Sequence, residues 1–133
     1  MTPEETERFL KEPHIVDLAT VRPDGSPQVT PVWYQYDGGR LLVLADPSSI
    51  KVRNIRKDPR VSMSIATHWE PYKYVLVNGT AEISDEWDPE LLWKMAVNYK
   101  GKLGGEQYAA RVEKEATFCL ITVTPRRVTG FAE

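Results

Sequence analysis

Cysteine is almost absent from this 133-residue chain, and the single Cys119 leaves no partner for an internal disulfide and too few thiols for a multi-cysteine metal site. A bridged framework is excluded, and a reducing or indifferent compartment is implied. Histidine is nearly as scarce: His14 and His68 stand far apart and belong to no metal-binding motif. Charge of one sign is lacking too. The 17 basic and 19 acidic side chains give a formal charge of -2, so nothing draws the whole molecule to nucleic acid or to an anionic membrane. No apolar run approaches the ~18 residues that span a bilayer. The opening MTPEETERFL is acidic and polar, unlike a secretory leader, and the expectation is a cytoplasmic protein.

What is present is ordinary for one globular domain over residues 1–133. Hydrophobic residues make up 41% and charged residues 27%, with no repeat, low-complexity tract or linker. TPEE reads as a helix start, with Thr2 as cap, Pro3 at the first helical position and Glu5 placed for a capping box. Phe9 and Leu10 are the apolar part of that helix, which ends before Pro13. HIVDLATV then reads as a strand, RPDGS as a turn, PQVTPVWYQY as a second strand and DGG as a turn into the strand RLLVLA. Such tight turns predict an antiparallel meander of three strands. Pro31 removes a ladder donor, so its segment belongs at an edge or a bulge.

DPSSIKVRNIRKDPR predicts a short helix, capped by Ser48 or Ser49 and ended before Pro59. VSMSIA is a strand, THWEPYK a polar aromatic loop, and YVLVNGTAEIS a long strand in which Gly79 marks a bulge or sharp curvature. Asp88 and Pro89 start a helix with Leu91, Leu92, Met95, Ala96 and Tyr99 at helical spacing. GKLGG is expected to break it, EQYAARVEKE to form a second helical piece, TFCLITVTP a strand and RRVTGFA a short return. About six strands in so small a chain predict a closed or partly closed antiparallel barrel, with a small open α+β sheet as the alternative.

Candidate chemistry is local. Lys51, Arg53, Arg56, Lys57 and Arg60 face only Asp58 within ten residues, a net of +4 in an acidic protein. A helix start carrying serine and lysine suits a phosphate, whereas a solvated helix face would show the same charge. The rings of Trp33, Tyr34, Tyr36, Trp69, Tyr72 and Tyr74 suit a planar cofactor, an oligomer interface or ordinary core. Strand alternation puts Trp33 opposite Tyr34 and Tyr36, so one set is structural. Cys119, between Phe118 and Leu120, reads as a buried hydrophobe, and Asp17 requires a partner unless it faces outward. No paired carboxylates set up hydrolysis.

The succession LATVRPDGSPQVTPVWYQYDGGRLLVL, SIKVRNIRKDPRVSMSI, YKYVLVNGTAEI and ITVTPRRVTGF resembles the pyridoxamine-phosphate-oxidase-like split-barrel flavoprotein family, most closely its deazaflavin (coenzyme F420) dependent branch. The resemblance covers roughly residues 7 to 131. It implies a six-stranded antiparallel split β-barrel of Greek-key type with short peripheral helices. It also implies a homodimer with two equivalent cofactor grooves along the subunit interface.

Carried over by position, Lys51 looks like the phosphate lysine, with Ser49 near the same phosphate. Pro31, Val32 and Trp33 look like the segment beside the isoalloxazine-type ring, and Ala45 like the residue ending the third strand. Arg56, Lys57 and Arg60 would meet an acidic cofactor tail, and Trp69, Tyr72 and Tyr74 would cover the partner's cofactor. Ile50 stands where many relatives carry an arginine or histidine, so one phosphate donor is missing. The implied activity is F420-dependent hydride transfer to a small conjugated or electron-poor acceptor. FMN is the alternative cofactor, and a non-catalytic carrier or sensor of a flavin, F420 or a tetrapyrrole is the alternative role.

Overall fold

The computed structural model describes residues 1–133. Helix α1, Pro3–Lys11, begins as the sequence predicts: Thr2 accepts the Glu5 N–H at 3.1 Å, Pro3 sits in the first turn, and Phe9 and Leu10 are buried. Strands β1 (Val16–Val21) and β2 (Pro27–Val32) form a hairpin whose turn places Gly25 at φ +87°. Val16, Leu18 and Thr20 face the core while Asp17 faces outward, so no carboxylate is buried there.

PQVTPVWYQY is two strands, not one. The ladder stops at Val32 and resumes as β3 (Gln35–Asp37), which pairs with β4 (Arg40–Ala45). The expected three-strand meander therefore does not form, because β2 pairs only with β1. The cause lies at Tyr34, which is buried and whose hydroxyl donates to the carbonyl oxygens of Leu10 and Glu12 at 2.8 and 3.1 Å. Those bonds draw the chain out of the ladder and toward the end of α1.

Helix α2 (Ile50–Lys57), strands β5 (Arg60–Ala66) and β6 (Lys73–Ser84), helices α3 (Pro89–Lys100) and α4 (Lys102–Glu115), and strand β7 (Cys119–Ala132) complete the chain. All seven strands lie in one antiparallel sheet of order β2-β1-β5-β6-β7-β4-β3. The strand beyond the expected six is β3. Its two edges, β2 and β3, are joined only by Trp33 and Tyr34, so Val32 and Gln35 lie three Cα steps, at most ~11 Å, apart. The sheet must curl until its ends nearly meet, with no ladder across the seam. That is a split barrel, mainly β, as the sequence predicts. Leu18, Leu41, Val43, Met63, Ile65, Val77, Ile121 and Val123 fill it, and Val52 and Ile55 of α2 join the same core.

One further expectation is corrected and another narrowed. β7 is one 14-residue strand rather than a strand and a return. It runs through Pro125 because that residue lies opposite Gly79, where a bulge already shifts the ladder. GKLGG breaks the helix as expected, but only at its first residue. Only Gly101, at φ +81°, separates the helices, and Gly104 and Gly105 already belong to α4. A Cβ on Gly105 would stand 2.6 Å from the Ala96 carbonyl oxygen and the Val97 Cα, so glycine lets the two helices pack closely. No helix is long and apolar enough to cross a membrane.

Candidate functional site at the seam of the barrel

Where β2 and β4 end and α2 begins, a cavity of about 410 Å³ opens at the seam, within the ~300–1,000 Å³ of small-molecule sites. One wall comes from the barrel: Ile15, Pro31, Val32 and Trp33 on one side of the seam, Leu44, Ala45 and Asp46 at the end of β4, and Lys51 from α2. The opposite wall is Leu92 and Met95 of α3, Tyr108 of α4, and Phe118 just before β7. Of the residues expected from sequence, Pro31, Val32, Trp33, Ala45 and Lys51 are brought together here.

Ser49 is not among them. Its hydroxyl donates to the Asp46 carbonyl oxygen at 2.7 Å, so the expected side-chain cap of α2 is absent. Ser48 turns away as well, its N–H and hydroxyl donating to Asp46 Oδ1 at 2.8 and 2.7 Å. Those two bonds, the backbone one first, hold the Asp46 carboxyl below the usual range, so it stays ionised. The first turn of α2 is left with N–H groups that no side chain satisfies, next to the Lys51 ammonium at the polar end of an apolar cavity. Thr30 Oγ1, on the edge strand beside Pro31, is buried without a partner.

Trp33 is fixed from behind. It stacks on Tyr99 at 4.7 Å and 6°, and Tyr99 Oη donates to the His14 carbonyl at 2.7 Å while accepting the Tyr34 N–H at 3.0 Å. Burial pushes the Tyr99 hydroxyl up to about 12, so it is a structural phenol. His14 is buried against Phe9 at 4.3 Å, burial also pushes the Cys119 thiol up, and His68 is exposed. None of the three is a prepared nucleophile or base.

A second cleft, of about 470 Å³, runs along the other side of α2 and is lined by Arg22, Pro23, Ile50, Arg53, Asn54, Arg56 and Lys57. Its position is held from inside the barrel: buried Asn54 donates to Thr20 Oγ1 at 3.0 Å, and Thr20 donates to Gln28 Oε1 at 3.1 Å. Arg56 and Lys57 both line this cleft; Arg60 does not. Its Nε and Nη2 donate to the two carboxylate oxygens of Asp58 at 3.0 and 2.7 Å, which holds Asp58 down at about 2. Arg56 lies 3.8 Å from Asp85.

Sequence reasoning missed Arg22, and counted Arg53 in the basic run without assigning it to the site. Arg53 carried a signal, one helical turn from Ile50 and from Arg56; Arg22 sits in the β1–β2 turn, where only the fold brings it to α2. The α3–α4 wall was also missed, because an apolar helical stripe reads as core. Trp69, Tyr72 and Tyr74 line neither the cavity nor the cleft and are exposed, with Tyr74 stacked on Phe131 at 5.2 Å.

The curled antiparallel sheet places the protein in the split-barrel class. Residues 2–131 match the sequence model of pyridoxamine 5'-phosphate oxidase, and the chain belongs to that family. An F420 reductase is 33% identical, with a TM-score of 0.76, over 96% of this chain and 98% of that one. The conserved hypothetical protein Rv2991 of Mycobacterium tuberculosis is 27% identical, with a TM-score of 0.81, over 99% of this chain and 85% of its own. An FAD-binding protein of Mesorhizobium loti shares the fold at 20% identity and a TM-score of 0.72, over 100% and 96% of the two chains. The likeness to an F420 reductase agrees with the branch to which the sequence motifs point.

Proposed function

We propose that this protein is an F420-dependent oxidoreductase acting on small conjugated or electron-poor organic acceptors, with FMN as the competing cofactor. The observation that carries the proposal is the double use of α2. Lys51 serves the apolar cavity, while Arg53, Arg56 and Lys57, with Arg22, serve the basic cleft. A ligand made of a ring, a phosphate and an acidic tail needs an apolar slot, a cation and several more cations in that order. FMN ends at its phosphate and has no use for the cleft.

The residues fit such a group. Pro31, Val32, Trp33 and Ala45 would flank the ring, and Lys51 with the uncapped first turn of α2 would hold the phosphate. When bound, reduced F420 supplies a hydride and releases a proton, while a conjugated C=C takes up that hydride and a solvent proton. The chain positions and desolvates the reactants, and Asp46, the one carboxylate in the cavity wall, is engaged by Ser48.

Neutralising Arg22, Arg53, Arg56 or Lys57 should weaken binding of long-tailed F420 more than binding of its tail-free precursor. The difference should shrink with added salt, because exposed contacts are screened over ~10 Å at 0.1 M. Arg60→Gln should matter less, its guanidinium being taken by Asp58. Equal losses for both ligands across a salt series would return the cleft to an ordinary solvated face.

We further infer a homodimer. The outer face of the sheet carries Val29, Ala19, Ser62, Ser64, Leu76, Tyr74 and Phe131 in adjoining register, with Val29, Leu76, Tyr74 and Phe131 all exposed. Pro31 belongs to the same face, so a second copy seated there would border the cavity and bring Trp69, Tyr72 and Tyr74 within range of its partner. Sedimentation should show a dimer that Leu76→Glu converts to monomer; a wild-type monomer at high micromolar concentration would refute it.

A further inference from the structure

One wall of the cavity is left over once the ring and phosphate are assigned to the barrel side. Leu92, Met95, Tyr108 and Phe118 form an apolar wall facing the barrel side, and three of them come from the α3–α4 hairpin. That hairpin is rigidly assembled: Gly105 seats α4 on α3, and Leu92, Ala96 and Ala109 make a small core of their own beneath Trp33, Tyr108 and Phe118.

Two cations stand over one ring of this wall. Lys100 Nζ lies 5.2 Å and the Arg111 guanidinium carbon 5.5 Å from the centre of the Tyr108 ring. Both residues are exposed and neither forms an ion pair. Of the hairpin's acids, Glu113 accepts the Trp93 indole N–H, Glu106 lines a separate depression with Trp93 and Asn98, Glu90 lies in the first turn of α3, and Glu115, four residues after Arg111, forms no ion pair with it. An apolar wall with two unpaired cations beside one of its rings suits a ligand with an apolar body and an anionic end.

We propose that the α3–α4 wall binds the acceptor, and that the acceptor is a planar conjugated carboxylate whose acid group lies at Lys100 and Arg111. This rests on the reading of the barrel side of the cavity as the cofactor's half. Neutral enones, quinones and nitro compounds would fill the wall but leave the two cations unused.

The test is calorimetric titration of the protein with 3-(2-naphthyl)acrylate and with its methyl ester, which has the same ring system but no charge. At low salt the acid should bind about fivefold more tightly than the ester, the sum expected for two exposed charge contacts. A Lys100→Gln, Arg111→Gln double variant should bind both compounds equally, with the ester's affinity unchanged. Both positions are on the surface, so the variant should keep its fold, and its circular dichroism and melting temperature check this. F420 titration of the same variant should match wild type. Equal binding of acid and ester by wild type, or a preference that survives the double substitution, would overturn the proposal. Failure of F420 to bind at all would strike the cofactor reading instead, because the naphthylacrylate titrations are made without cofactor.

Discussion

Lys51→Ala should weaken F420 binding by about ten- to a hundredfold, on the order of 1.5 to 3 kcal/mol, the worth of a charge-assisted bond to an anion. The same substitution should change the unfolding free energy by no more than about 0.5 kcal/mol, since no native ion pair is lost. The separation of the two effects is the informative part. Lys51 makes no salt bridge, stands in the first turn of α2 and lines the cavity, so its ammonium is free for a ligand. Every ligand that keeps the phosphate should suffer alike, long-tailed or tail-free. Fluorescence titration at low ionic strength measures the loss, and unchanged affinity would remove Lys51 from the site.

Gly79→Val should lower the unfolding free energy by about 3 kcal/mol, at the upper end of ordinary overpacking. At the bulge between Asn78 and Gly79, a side chain would run into the Thr124 carbonyl oxygen on the neighbouring strand. That strand cannot yield cheaply, because β6 and β7 pair along almost their whole lengths and form the spine of the sheet. Gly25→Ala is the contrasting case: its Cβ would meet nothing, so only the left-handed backbone opposes it, at about 1 to 2 kcal/mol. Urea denaturation of both variants tests the ranking. A Gly79→Val protein as stable as Gly25→Ala would show that β6 and β7 do not approach so closely.

Much of this was legible because it is local. Thr2, Pro3, Asp88 and Pro89 announce helix starts by chemistry confined to one turn, and Gly79 marks its own bulge. The seam was half legible. Pro31 pointed to a strand edge, yet the break at Trp33 and Tyr34 depends on Tyr34 reaching the carbonyl groups of Leu10 and Glu12, more than twenty residues away. No periodicity reports such a bond.

The site divides in the same way. Lys51 and the segment from Pro31 to Trp33 stood out through motif and charge, and Arg56 and Lys57 through local density. Arg60 belonged to that density but is taken by Asp58. Arg22 reaches the cleft only because the β1–β2 hairpin is tied to α2 through Thr20 and Asn54. Leu92, Met95 and Tyr108 could not be told from core, since an apolar side chain lining a cavity follows the same helical spacing as one packed inside.

The proposed function requires one helix, α2, to serve both a ring-and-phosphate cavity and an acidic-tail cleft. Parallel titration of the cofactor-free protein with F420 and FMN tests it most directly. The account predicts that F420 binds more tightly, and that the advantage falls as salt rises because the tail contacts are exposed. Markedly tighter binding of FMN, or no binding of F420, would contradict it.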